Sequence, residues 1–111
     1  MISRFTTAST CLLLLLAGVS PALADRIDGD WCSPGGKHLR IDGPAITIPS
    51  GADIIGDYSR HRFRYEGPAG DPEEGQVVEM QQLSEEAMDL VRTIDGKAGA
   101  PERWSRCQAV S

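Results

Sequence analysis

The sequence predicts an all-β protein, a small antiparallel meander closed into a seven- or eight-stranded barrel behind a cleaved signal peptide. Three observations carry that reading. Turn signals recur about every five to nine residues, the apolar side chains between them fall at alternate positions, and a Cys stands near each end of the exported part.

The first 24 residues, "MISRFTTASTCLLLLLAGVSPALA", carry one positive charge at Arg4, an apolar run over 11–19, and small residues at Ala22 and Ala24. This is the pattern of a secretory signal peptide cut after Ala24. The run is far shorter than the ~20 residues a membrane span needs. Cys11 precedes most of the run instead of following it, so it is not placed as a lipoprotein Cys and is discarded with the leader. Residues 25–111 then form a single domain, since no linker divides them, and the expected location is periplasmic or secreted.

Loss of Arg4 with the leader takes the formal net charge from −5 to −6. Nucleic-acid binding rests on many Lys and Arg contacts to phosphate, so an acidic chain of this kind is a poor candidate for it. Cys32 and Cys107 are the two Cys that remain, and in an oxidising compartment they pair in the one way open to them. A structural bond closing about 75 residues is worth roughly 4 to 5 kcal/mol in the loop-entropy picture. A redox-active pair would more often be a CxxC.

Taken in order, "GDWC" opens the first strand. "KHLRI" sets Leu39 and Ile41 on one face and His38 and Arg40 on the other, and "AITI" puts Ile46 and Ile48 together. "SRHRFRYE" alternates most clearly, with Arg60, Arg62 and Arg64 opposite His61, Phe63 and Tyr65. "QVVEMQQL" sets Val78 and Met80 against Glu79 and Gln81. The stretch "LSEEAMDLVRTIDG" reads two ways: a helix capped by Ser84 with an apolar stripe of Ala87, Leu90, Val91 and Ile94, or a turn at 84–86 followed by a strand over 87–94. The neighbouring strands and tight turns favour the strand. "ERWSRC" closes the chain, with Trp104 and Arg106 opposite Ser105 and Cys107. Apolar residues confined to one face of each strand are buried economically by closing the sheet, which also removes exposed edges. If it closes, "GDWC" and "RWSRC" meet, and Cys32 to Cys107 locks the seam.

"GDW" at the start of the first strand, the "QLSEEAMDL" penultimate strand and the closing "RWSRC" with its aromatic and arginine resemble the small lipocalin-like, or calycin-type, barrels of bacterial exported proteins. That resemblance covers 28–108; it implies a meandering barrel that binds something in or on itself and brings no catalytic residues. The early-to-late Cys pair is also similar to periplasmic inhibitors of C-type lysozyme. Those carry a Ser-Gly-x-x-Tyr loop; the nearest segment here is "PSGADIIGDY", where Ser50 and Gly51 are followed by Ile54 and Tyr58 at a different spacing.

The most distinctive candidate surface is the row Arg60, Arg62 and Arg64. Alternate strand residues stand ~6.6 Å apart, so three guanidinium groups make a basic stripe suited to carboxylate or phosphate. The competing reading is that Glu79 and other acids on a neighbouring strand pair with them. His38 and His61 are too far apart in sequence, and Met80 and Met88 too core-like, to suggest a metal site. Asp71, Glu73, Glu74, Glu85 and Glu86 fall in turns and read as solvating acids. Ser59 and Ser105 lack a nucleophile elbow, and "PGGK" at Pro34 is followed by a strand where a phosphate loop needs a helix.

No catalytic residue, metal or cofactor is expected. The expected function is an exported, non-catalytic binding or interaction module of the bacterial cell envelope, taking an anionic ligand or an envelope protein. An inhibitor of an envelope-directed enzyme such as lysozyme is the alternative, and a small hydrolase a more distant one.

Overall fold

The computed structural model describes residues 26–108. The expected leader, 1–24, and its cleavage site lie outside the described residues. Ten strands follow one another: β1 (Gly29–Cys32), β2 (His38–Asp42), β3 (Ala45–Thr47), β4 (Asp53–Ile55), β5 (Asp57–Ser59), β6 (Arg62–Glu66), β7 (Val77–Gln82), β8 (Ala87–Ile94), β9 (Lys97–Ala98) and β10 (Glu102–Arg106). Over 87–94 the strand reading holds, and Ser84 acts as a turn former, its Oγ accepting from the Glu86 amide at 3.2 Å.

All ten belong to one sheet in the order β4-β3-β2-β1-β10-β8-β7-β6-β5, with β9 an extension paired to β8. Every pairing between these ten strands is antiparallel, and the sheet curls so far that its two end strands, β4 and β5, are successive pieces of chain. The path holds nine strands instead of seven or eight because the segment 53–59 bends at Gly56. Its first half pairs with β3 and its second with β6, so one bent segment brings the two edges of the sheet together. Gly56 is there for space. A Cβ at that position would stand 2.5 Å from the Arg64 carbonyl oxygen and 2.5 Å from Phe63 Cε1, while its amide donates to the Pro44 carbonyl at 2.9 Å.

Tight turns set the register of the meander. β8 and β9 join through Asp95 and Gly96, with φ of 52° and 78°; a two-residue hairpin needs positive φ at both positions to match strand twist. β5 and β6 join through Arg60 and His61, with Ser59 opposite Arg62. Arg60 is therefore in a turn, and the expected three-arginine strand stripe reduces to Arg62 and Arg64. Polar residues in a two-residue turn continue the alternation in sequence without continuing the strand.

β1 and β10 are neighbours, with Trp31 opposite Arg106 and Cys32 opposite Ser105. Cys32 and Cys107 are disulfide-bonded across that seam, with Cα atoms 5.0 Å apart. Trp31 points inward and is fully buried, while the adjacent Cys32 points to the other face, as strand geometry requires.

The interior is packed with side chains. Ile27, Trp31, Leu39, Ile41, Ile46, Ile48, Phe63, Tyr65, Val78, Met80, Met88, Leu90 and Trp104 are buried in one cluster, with Ile54 and Tyr58 packed against it. Each strand's contribution is the alternate set expected from the sequence, which is why the burial pattern of β6 reads exposed, buried, exposed, buried, exposed. Among the described residues, no helix is long and apolar enough to cross a membrane.

Candidate functional site

Polar groups gather at three places: the two ends of the barrel and the outer face of β5 to β8. At one end, residues 26–28 run across the opening. The Ile27 amide donates to the Arg60 carbonyl at 2.8 Å, and its own carbonyl accepts from Trp31 Nε1 at 2.8 Å. Arg106 stacks over the Trp31 ring at 4.1 Å and donates to the carbonyls of Asp28, Arg26 and Glu85. Burial pulls its pKa below the ordinary arginine value, against the opposing pull of Glu86, Asp28, Glu85 and Asp30. The Asp28 carboxylate accepts from the Gly43 amide at 2.8 Å and the Tyr58 hydroxyl at 2.5 Å, and that bond raises the Tyr58 pKa. Every one of these contacts is a clamp on backbone or core.

At the opposite end, the loop 67–76 folds over the opening and buries Glu73, which is 7% exposed. The expectation that this loop's acids are all solvated is wrong for Glu73. Its carboxylate accepts from the Tyr65 hydroxyl at 2.6 Å and from Arg92 Nη1 at 2.5 Å. Arg92 also donates from Nε to Glu102 at 2.8 Å and from Nη1 to Gln76 at 3.2 Å, and Trp104 Nε1 donates to Glu102 at 3.2 Å. Burial and the bond to Glu73 push the Tyr65 pKa well up. For Glu102 burial works to raise the pKa, but the bonds from Arg92 and Trp104 outweigh it and hold the carboxyl below its ordinary range. For Arg92 burial works to lower the pKa, and the bonds to Glu102 and Glu73 prevail and raise it. Ser50 and Asp71 are hydrogen-bonded, tying the loop 48–52 to the loop 67–76. The two loops that an inhibitor would need to project are thus fastened to each other and to the core.

The outer face of β5 to β8 is different. An open groove of about 530 Å³ lies there, lined by residues of these four strands. Two cross-strand rows make its floor. One runs Asp57, Arg64, Glu79 and Val91; the other runs Ser59, Arg62, Gln81 and Asp89. Arg64 Nη1 lies 3.8 Å from Asp57, and Arg103 on β10 holds Asp89 at 2.7 Å. Asp57 is the partner of Arg64, and directly opposed Glu79 is not; an exposed pair of this length contributes little. The Arg62 side chain makes no ion pair or hydrogen bond among the described residues, and its row neighbours are the neutral Ser59 and Gln81.

Of the three arginines picked out in the sequence, Arg62 and Arg64 line the groove, while Arg60 sits in the turn and its carbonyl holds Ile27. Sequence reasoning placed Glu79 beside the arginines as their ion-pair partner; it missed that Asp57 takes that part and that Gln81 and Val91 share the same surface. The signal was their odd-numbered parity opposite the core positions Val78 and Met80. His38 bonds Asp30 at 2.9 Å, which also holds Arg40 at 2.9 Å on the outer face of β1 and β2. Among the described residues, no group of three or more His, Cys, Asp or Glu is arranged to hold a metal ion.

No known family, no curated protein and no solved structure matches this chain.

Proposed function

We propose that the protein is an exported, non-catalytic binding module of the bacterial cell envelope that docks an anionic group onto the outer groove of β5 to β8 through Arg62. An interior filled by bulky apolar side chains leaves binding to the outside of the barrel. The observation that carries the reading is Arg62 itself: an exposed guanidinium with no partner among the described residues, set in a groove of about 530 Å³, a volume in the range of small-ligand sites. Guanidinium offers carboxylate two parallel donors, and Gln81 and Ser59 on either side add neutral hydrogen-bonding groups. The disulfide fits an oxidising compartment and supports the exported location.

N-acetyl-valine, a monocarboxylate, is the test ligand. Its titration followed by backbone amide shifts should give saturable changes at residues 62, 79, 81 and 91. Arg62→Gln should abolish them while leaving the urea midpoint unchanged. Changes that persist in the variant, or that map elsewhere, overturn the reading.

A further inference from the structure

The groove holds a second unpaired charge, of opposite sign. The Glu79 side chain makes no ion pair or hydrogen bond among the described residues. The other two acids that line the groove are engaged, Asp57 with Arg64 and Asp89 with Arg103. Since Arg62 is opposite Gln81 and Arg64 opposite Glu79, Arg62 and Glu79 are diagonal neighbours across β6 and β7. Such neighbours stand ~7–8 Å apart, and the two side chains do not close on each other. Val91, directly opposite Glu79 on β8, supplies apolar floor beside the acid.

The lining acids Asp57, Glu79 and Asp89 outnumber the lining arginines Arg62 and Arg64. A polyanion is repelled by that balance. A ligand with one negative and one positive end satisfies it, provided the ends are about as far apart as Arg62 and Glu79. An extended chain advances ~3.3–3.6 Å per residue, so the two termini of a dipeptide are separated by about that span. Building on the anion-docking role of Arg62, we infer that the groove recognises a short zwitterionic peptide. Arg62 takes its carboxylate, Glu79 its ammonium, and Val91 an apolar side chain.

Divaline, N-acetyl-divaline and divaline amide separate the possibilities when each is titrated into the protein and followed by amide shifts. Divaline should saturate and bind at least about tenfold tighter than either blocked form. Glu79→Gln should remove the preference for the free amine, and Arg62→Gln the preference for the free carboxylate. Both substitutions lie on an exposed face and leave the fold measurable by the same spectra. If acetylation costs nothing while amidation abolishes binding, the zwitterion inference is wrong and anion docking at Arg62 stands. If amidation costs nothing as well, or if divaline gives no saturable shifts up to about 20 mM, both are wrong.

Discussion

An inward-pointing arginine organises one end of this barrel. Arg92 continues the core-facing set of β8 after Met88 and Leu90, where an unpaired cation would be costly, and two carboxylates from different elements meet it there. Glu102 carries a testable consequence. Its pKa in the folded protein is lowered, so its contribution to stability is complete above the unfolded value near ~4.3 and disappears as pH falls through the folded value. Urea midpoints should therefore drop as pH goes from about 5 to about 3, and Glu102→Gln should flatten part of that drop while lowering the midpoint at neutral pH. Parallel curves for the two proteins would rule the role out. In the sequence, Glu73 is one acid among several in a Pro- and Gly-rich loop and reads as solvated. The sign that it is not lies elsewhere in the chain, in the parity of Arg92, because a charge on a core face requires a partner.

Among the elements, those with one buried face could be read from sequence and those without could not. β2, β6, β7 and β8 alternate because their inner residues fill the core, and the local helix signals around Ser84 and Glu85 gave way because the backbone that follows is paired on both edges, with β7 and with β10. The segment 53–59 gave no strand signal: two adjacent isoleucines face opposite ways, Gly56 interrupts, and each half pairs with a different neighbour. The groove was half legible. Its arginines stood out as a row and Glu79 as an acid to pair with them, whereas the place of Glu79 diagonal to Arg62, with Asp57 the partner of Arg64, follows only from the register. Gly56 is where the closure can be broken. Gly56→Val would drive a branched side chain against the Arg64 carbonyl and the Phe63 ring, and should cost about 2 to 3 kcal/mol in urea unfolding. An unchanged midpoint would mean that the bend at Gly56 does not lie this close to β6.

For the whole molecule, the decisive contact joins the first strand to the last. β1 and β10 pair only after the chain has gone round the barrel, and the bond from Cys32 to Cys107 spans 75 residues. Replacing both Cys with Ser should lower stability by about 4 kcal/mol, with the native circular dichroism spectrum retained at low denaturant. A loss near zero would show that the unfolded chain already keeps its ends together. The same bond decides how the molecule bears load. Tension that reaches Cys32 and Cys107 passes through one covalent link with Cα atoms 5.0 Å apart, so the residues between them are mechanically bypassed. With the bond oxidised, the groove on β5 to β8 lies inside the bypassed loop and carries none of that force; reduced, the same pull would load the pairing of β1 with β10.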